Sequence, residues 1–250
     1  MNGFERHGIA HSSASQLNKW NACQGAWVAH YLFKQRVGSV SAAMYRGICS
    51  EEGVKSVITK ECSVDQAILK AQELFDQKMM FDDGSSGKER ENIPPMIRLA
   101  VEALEPYGEP EFIEGDQQKV SMDIDGDGWS LPFIGYLDFV FPEQGLIIDL
   151  KTTLRMPTTM SKPHQLQRGF YAAARGNQDV KFLYVTPKKA EIKSDGDPST
   201  IMQEIKTTMA RQERFLSLGD RAFLKSIAHV NTDSYYWRGG ERIRAEMFGL

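Results

Sequence analysis

The segment from Gly135 to Lys151 constrains the fold more than any other part of the chain. Its sequence is Gly-Tyr-Leu-Asp-Phe-Val-Phe-Pro-Glu-Gln-Gly-Leu-Ile-Ile-Asp-Leu-Lys, two apolar strand-like runs joined by a Pro-Glu-Gln-Gly turn. The first run carries Asp138, and the second carries Asp149 followed two places later by Lys151. Because side chains alternate between the faces of a strand, Asp149 and Lys151 share a face while Leu150 points into the core. The sequence therefore predicts a hairpin that gathers two carboxylates and an ammonium at one end of a sheet.

The second of these runs is almost entirely apolar, which is typical of a central strand buried on both faces. An exposed Asp–Lys pair two residues apart would contribute little by itself. At the end of a buried strand, however, solvent is partly excluded, and two carboxylates held close together are costly unless a cation joins them. The residue types and their spacing therefore predict a divalent-cation site suited to steering a water molecule at a phosphodiester.

The remaining sequence divides into a helical part, a strand-rich part and a final helical part. The predicted helices lie at about 12–33, from 41, from 63, at about 94–104, at about 163–175 and at about 198–227, with loops at 81–90 and 152–162. The predicted strands lie at 117–124, 130–141, 145–151, 180–186 and 189–193. This order favours an α/β fold with a central mixed β-sheet flanked by helices and a helical N-terminal region.

We expect one domain over residues 1–250. Within it, we predict a mostly helical part at 1–106, an α/β core at 112–193 and a C-terminal helix and tail at 198–250. A chain of 250 residues with 41% hydrophobic residues is long enough to bury such a core.

Charge and cysteine content restrict the class of protein. The net charge of −3 argues against a protein that coats nucleic acid nonspecifically, since such proteins are usually strongly basic. The three cysteines show no paired spacing, which favours a reducing cytosol over a disulfide scaffold. The N-terminus has no apolar signal segment and no stretch approaches the length of a membrane span. We expect a cytoplasmic protein with no membrane partner.

Four short motifs occur in order along the chain: Gly47-Ile-Cys-Ser-Glu51, Gly135-Tyr-Leu-Asp138, Asp149-Leu-Lys151 and Gln167-Arg-Gly-Phe-Tyr171. Together they resemble the PD-(D/E)xK nuclease superfamily, in particular its RecB-like and phage (lambda-type) exonuclease branch, which implies a bacterial or phage-infected cell. The similarity extends over about residues 12–186 and includes the Ser-Ala-Ser-Gln-Leu stretch near the start. Each motif is common by chance, whereas four in this order on the expected elements are specific. The resemblance implies a restriction-endonuclease-like core.

The resemblance also implies a set of site residues. Glu51, Asp138, Asp149 and the Leu150 carbonyl would hold Mg²⁺ or Mn²⁺, because hard oxygen ligands suit these ions. Lys151 would orient or activate the attacking water. Glu51 stands where many RecB-like nucleases have histidine, and Glu52 is a competing ligand displaced by about 100° around the helix.

Further implied residues would assist catalysis or contact DNA. Gln167 would act near the catalytic groups, and Tyr171, on the same helical face, would support the site or contact a phosphate. Candidate phosphate contacts nearby are Arg155, Lys162, His164 and Arg168. No iron–sulfur cluster is expected, because no cysteine follows Cys62.

The function that the resemblance implies is metal-dependent hydrolysis of DNA, by an exonuclease of recombination, repair or phage DNA metabolism. Possible partners are a second copy of the chain and a single-strand annealing or DNA-binding protein. Two alternatives stay open: a structure-specific or restriction-like endonuclease, and an inactive DNA- or partner-binding module of the same fold.

Overall fold

The computed structural model describes residues 1–38, 40–79, 84–111, 118–176 and 178–250, apart from the side chain of residue 198. The chain forms two compact units. The first unit comprises Met1–Ser39, Val120–Gly135 and Asp197–Leu250, and the second comprises Val40–Lys119 and Tyr136–Gly196. In the described part of the chain, no helix is both long enough and apolar enough to span a membrane.

The first unit contains mainly helices. Its first segment forms α1 (Gly3–His7), β1 (Ser12–Ser13), α2 (Ala14–Ala22), α3 (Gln24–Trp27) and a π-helical turn (Val28–Leu32). Its central segment holds most of β2 (Gln118–Gly126) and β3 (Trp129–Leu137). Its last segment forms α9 (Pro198–Ser217), α10 (Arg221–Ile227), a 3-10 turn (Tyr235–Trp237) and α11 (Glu241–Phe248).

The second unit contains the hairpin that carries Asp138, Asp149 and Lys151. Its helices are α4 (Ala42–Ile58), α5 (Val64–Lys78), α6 (Ser86–Glu91), α7 (Ile93–Leu104) and α8 (Lys162–Ala174). Its strands are β4 (Phe139–Phe141), β5 (Leu146–Thr152), β6 (Asp179–Val185) and β7 (Ala190–Lys193). Short 3-10 turns lie at Glu105–Tyr107 and Pro142–Gln144.

The strands form two mixed sheets. The order in the first is β1-β3-β2, with β1 parallel to β3, and the order in the second is β4-β5-β6-β7. In the second sheet β5 is antiparallel to β4 and parallel to β6, while β7 is antiparallel to β6. The parallel pairing places β5 between two neighbours, as its continuous apolar sequence predicts.

The core of the second unit lies between helices α4, α5 and α7 and one face of its sheet. Apolar side chains from both layers, among them Val54, Phe75, Ile97, Ile148 and Leu183, are buried together. The helices begin where their sequences predict: Ser41 caps α4, and Ser63 with Gln66 forms a reciprocal capping box at the start of α5. Leu150 joins this core, so Asp149 and Lys151 are directed to the opposite face.

The predicted α/β class is confirmed, with the strands distributed over two mixed sheets. The predicted helices from 41 and from 63, and those near 94–104 and 163–175, are confirmed. The domain boundaries proposed from the sequence stay predictions. Positions 80–83, 112–117 and 177, including parts of the loop predicted at 81–90 and of the strand predicted from 117, lie outside the described residues.

Four predicted elements need correction. The helix predicted at 12–33 is interrupted at Cys23, whose extended backbone ends α2 and caps α3. The loop predicted at 81–90 gives way to α6 from Ser86. The long helix predicted at 198–227 ends at Ser217, and Asp220 caps a separate α10. The strand predicted at 130–141 divides at Asp138, because β3 and β4 belong to different sheets.

Candidate active site

Asp138 and Asp149 lie side by side at the start of β4 and near the end of β5. The antiparallel register pairs Phe139 with Ile148, so Asp138 comes next to Asp149 on the neighbouring strand. The Leu150 backbone N–H donates to Asp138 Oδ2 over 2.8 Å. The break between β3 and β4 therefore presents a carboxylate, held by a backbone hydrogen bond, beside the carboxylate of a buried strand.

Lys151 completes this group on the same face of β5. Its Nζ forms an ion pair with Asp149 Oδ1 and lies 5.4 Å from the centre of the Phe182 ring. The Asp149 side chain is 1% exposed and that of Lys151 is 27% exposed. The ammonium is therefore reachable from solvent while its carboxylate partner is not.

The electrostatics of the group are unbalanced toward negative charge. Burial, together with the charges of Asp149 and Glu51, raises the pKa of Asp138 well above its usual range. Burial also raises the pKa of Asp149, although Lys151 opposes the effect. Burial alone would lower the pKa of Lys151, but Asp149, Asp138 and Glu51 raise it instead. Three carboxylates thus act on one ammonium, and an added cation would relieve their repulsion.

Glu51, rather than Glu52, is the third carboxylate. Glu51 acts on both Asp138 and Lys151, whereas the exposed Glu52 acts on the pKa of Cys49. The two side chains point in different directions because successive helical residues are about 100° apart. Helix α4 approaches the end of β5 closely: a Cβ at Gly47 would lie 3.4 Å from Thr152 Oγ1. The small residue lets the helix present Glu51 to the site.

Gln167 and Tyr171 form a hydrogen-bonded chain that ends on Asp149. Gln167 Nε2 donates to Asp149 Oδ2 over 3.0 Å and to Tyr171 Oη over 2.6 Å, and Tyr171 Oη donates to the Tyr136 carbonyl. Burial and the nearby Asp149 charge raise the pKa of Tyr171. The structure thus brings both residues to the carboxylates, with Tyr171 directed at protein groups.

His164 and Tyr184 form a second polar contact beside Lys151. His164 Nδ1 lies 2.6 Å from Tyr184 Oη, and the His164 ring stacks on Phe182 at a centroid distance of 5.5 Å. Burial and the Lys151 charge lower the pKa of His164 to about 4, so its imidazole is neutral at neutral pH. Sequence reasoning missed Tyr184; only the parallel register that pairs it with Lys151 identifies it.

The other predicted DNA contacts lie in different surroundings. Arg168 donates to the Val180 carbonyl over 2.7 Å and to the Gly196 carbonyl over 2.8 Å, which ties α8 to its neighbours. Arg155 and Lys162 are exposed, in the loop after β5 and at the first residue of α8. Contact of any of these with DNA stays a prediction.

An ion pair that sequence reasoning missed supports the site from α4. Arg46 pairs with Glu89 of α6, and its Nη2 donates to the Thr152 carbonyl over 3.3 Å. Both side chains are buried, at 5% and 8% exposure. No local pattern could have predicted the pair, because its members lie on separate helices.

The donor set fits a divalent metal, although the site has no preformed cluster. In residues 1–38, 40–79, 84–111, 118–176 and 178–250, no three His, Cys, Asp or Glu side chains are close enough together to hold an ion by themselves. The groups that do converge are carboxylates in a partly desolvated place, with raised pKa values for Asp138 and Asp149. Oxygen donors of this kind suit Mg²⁺ or Mn²⁺ better than zinc.

The candidate site thus combines Asp138, the buried-strand residue Asp149 and Lys151 on the same face of β5 as Asp149, in an α/β fold. The chain belongs to the PD-(D/E)XK nuclease superfamily, whose family model matches residues 11–245. Membership in this superfamily indicates a hydrolase that acts on nucleic acid.

Comparison with individual proteins adds little to this assignment. No curated protein sequence matches the chain. A solved structure titled "Crystal structure of SSO0001" is similar at 13% identity and a TM-score of 0.35, over 61% of this chain and 88% of that one. A superposition this loose supports no conclusion about function.

Proposed function

We propose that the protein is a metal-dependent deoxyribonuclease, and that it acts as an exonuclease of the RecB-like and phage type in recombination, repair or phage DNA metabolism. The observation that carries the proposal is the convergence of Asp138, Asp149 and Lys151 with Glu51 acting on them. A protein that only bound DNA would gain nothing from buried carboxylates that repel both each other and the phosphate backbone.

Glu51, Asp138, Asp149 and the Leu150 carbonyl would hold the metal. A divalent cation bound by these residues would supply Lewis-acid polarisation of the scissile phosphate and would lower the pKa of a bound water molecule. The Leu150 N–H fixes the orientation of Asp138, and Gln167 fixes that of Asp149, so these carboxylates are directed before substrate binds.

Lys151 has the role of a charged donor. Its raised pKa keeps the ammonium protonated at neutral pH, so it donates hydrogen bonds to the attacking water and to a phosphate oxygen. Its charge also offsets the negative charge that develops on the phosphorus oxygens during attack. Removal of Lys151 would therefore slow the chemical step more than it weakens metal binding.

The test compares two substrates of equal sequence: end-labelled linear duplex and covalently closed circular DNA. An exonuclease releases label from the linear DNA with Mg²⁺, releases none with EDTA, and leaves the circle intact. Asp149→Asn, which removes one ligand charge with little change in shape, is the matched inactive control. Nicking of the circle would identify an endonuclease, and absence of cleavage in every arm would favour a binding module.

Self-association is part of this proposal. A chain with a net charge of −3 has weak nonspecific attraction to duplex, so a processive exonuclease of this kind needs to enclose its DNA. In the C-terminal tail Tyr235–Trp237, Trp237 is buried within its own unit and Tyr235 is exposed, so Tyr235 is the aromatic side chain of this tail that a second copy could contact. Light scattering tests the oligomer directly: a monomer that also nicks circles would contradict the exonuclease proposal.

A further inference from the structure

The first unit carries a continuous series of cations and aromatic rings that the cleavage site does not use. Lys19 Nζ lies 5.6 Å from the centre of the Tyr31 ring and 5.3 Å from that of Tyr236. The Tyr236 ring lies 6.0 Å from that of Tyr235, which the Arg238 guanidinium approaches to 5.0 Å. We call these five residues the tyrosine–cation strip.

The charge around the strip is positive. No acidic residue occurs between Glu5 and Glu51, a long interval for a chain with 33 Asp and Glu in 250 residues. Exposed Lys34 and Arg36 follow Tyr31, and burial, together with the charges of Lys19, Lys34 and Arg36, lowers the pKa of the adjacent His30. The strip therefore lies in a local excess of cations, although the chain as a whole is acidic.

The backbone beneath the strip has two unusual features. His30 and Tyr31 belong to the π-helical turn Val28–Leu32, a rare geometry that is frequent at functional sites. Lys34, a non-glycine residue, has φ of 56° in the left-handed region. A conformation of this kind persists only where the surrounding structure imposes it.

The C-terminal part of the strip is firmly held. Trp237 is 2% exposed and packs with Cys23, Ala26, Ala29 and Val37, which fixes the preceding tyrosines beside α2 and the π-helical turn. Tyr235 itself is 58% exposed, so more than half of this side chain is accessible to solvent, with the Arg238 guanidinium on one side of the ring.

Two acidic residues lie on either side of the C-terminal part of the strip. Asp233 is exposed two residues before Tyr235, and Glu241 Oε1 accepts a hydrogen bond from the Gly239 N–H beyond Arg238. These two carboxylates compare with four cations on the same segments, Lys19, Lys34, Arg36 and Arg238. Positive charge remains in excess.

We propose that the tyrosine–cation strip is a second nucleic-acid-binding site, specific for single strands. Unpaired bases can stack on exposed aromatic rings, and every base offers a face, so the site would be tolerant of sequence. The exposed cations Lys34, Arg36 and Arg238 would contact the phosphates that follow each base, while buried Lys19 holds the Tyr31 and Tyr236 rings together. Bases in a duplex are already stacked and cannot use the rings, and an acidic peptide would need only the charges.

Binding is measured on the full chain in EDTA, so the result does not depend on whether the protein cleaves DNA. The probes are fluorescein-labelled oligothymidine of about 20 nucleotides, oligouridine of the same length and a duplex of the same length, followed by anisotropy. We expect both single strands to bind at least about tenfold more tightly than the duplex.

Substitutions assign the binding to the strip. Tyr235→Ala should weaken oligothymidine binding about tenfold, roughly 1.4 kcal/mol, while Tyr235→Phe keeps the ring and the affinity. Phe223→Ala is the matched control, because Phe223 is an exposed aromatic residue of the same unit outside the strip. Arg238→Gln should lower the slope of log affinity against log salt by about 0.7, whereas Arg242→Gln should not.

Three results would overturn the proposal: duplex bound as tightly as single strands, Tyr235→Ala indistinguishable from Phe223→Ala, or a polyglutamate peptide competing as well as oligothymidine. The last result would assign the strip to an acidic protein partner. Circular dichroism of each variant separates loss of binding from loss of fold, and exposed Arg238 supplies an independent variant if Tyr235→Ala does not fold.

Discussion

Two ion pairs in the second unit, one buried and one with a partly exposed lysine, differ in how their charges are balanced. Arg46 and Glu89 form one pair on α4 and α6, and the guanidinium has further acceptors on Thr152. Asp149 and Lys151 form the other, but Asp138 and Glu51 add their charges to the same place. The first pair is matched one to one, whereas the second has three carboxylates for one ammonium.

The difference separates a structural pair from a reactive one. A buried ion pair whose charges balance does not attract a further ion. Removing one of its partners mainly lowers the free energy of unfolding. A surplus of carboxylates costs folding free energy in the absence of a cation and creates a place for one. We therefore expect substitutions in the first pair to change stability, and substitutions in the second to change activity.

The largest effect should come from Asp149→Asn. Asp149 is the buried member of the three carboxylates that surround Lys151. Its replacement by a neutral amide should reduce the cleavage rate more than about a thousandfold, ~4 kcal/mol of activation barrier. The melting temperature should not fall. Initial rates with Mg²⁺ and thermal melts in EDTA check both parts. Activity retained within about tenfold would show that the site is misplaced.

Lys151→Ala should retain the metal and lose turnover. The three carboxylates remain, and their attraction for a cation rises once the ammonium is removed, while the water loses its charged donor. We expect a fall of about a hundredfold or more in kcat with metal affinity unchanged or increased. Calorimetry of Mn²⁺ binding beside single-turnover rates distinguishes the two; loss of both together would contradict the separate roles.

Glu89→Gln should lower the free energy of unfolding by about 3 kcal/mol, because it leaves the Arg46 guanidinium buried without a counter-charge. Urea denaturation measures the change. Asp76→Asn is the matched control: the Arg90–Asp76 pair is solvent-exposed, at 39% and 52%, and should change stability by less than about 1 kcal/mol. Equal effects would show that burial does not distinguish these pairs.

His164 should make the fold sensitive to acid. Its folded-state pKa of about 4 lies below the ordinary value, so the unfolded chain binds the proton more readily and stability falls as pH drops below about 6.5. Between about pH 7 and pH 5 this contribution is ~2 kcal/mol. Denaturation at both pH values should show a smaller loss for His164→Gln than for the natural chain, and an equal loss would exclude His164 as the cause.

Glu51→Gln and Glu52→Gln test which glutamate of α4 is the third carboxylate beside Asp138, Asp149 and Lys151. Only Glu51 acts on Asp138, so we expect about a tenfold loss of activity at limiting Mg²⁺ for Glu51→Gln, and little change for Glu52→Gln. Higher Mg²⁺ should partly restore the first variant. The reverse pattern would place the other face of α4 at the site.

The placement of the central groups followed from local rules. Strand alternation is enough to put Asp149 and Lys151 on one face with Leu150 in the core, and helical spacing is enough to put Gln167 and Tyr171 together. Apolar continuity likewise predicted that β5 would lie between two strands. These inferences depend only on a few neighbouring residues, so they hold even where the predicted element boundaries or sheet order are wrong.

The errors came from segments whose ends depend on packing. Alternation could not show that the strand at 130–141 divides at Asp138, since β3 and β4 hydrogen-bond to different sheets. Composition could not show that α6 begins at Ser86 in a segment with many loop-forming residues, where Arg46 pairs with Glu89. In both places a contact between distant segments outweighs local preference.

The sequence by itself determined the kinds of reactive group and their spacing: carboxylates on two apolar strands, a lysine two residues beyond one of them, and a glutamate four residues after a glycine. Only the tertiary structure decided that Tyr184 lies beside Lys151 and that Lys19 contacts Tyr31 and Tyr236. Spacing along a strand or helix is set by local backbone geometry, whereas these side-chain contacts form only when segments far apart in the chain pack together.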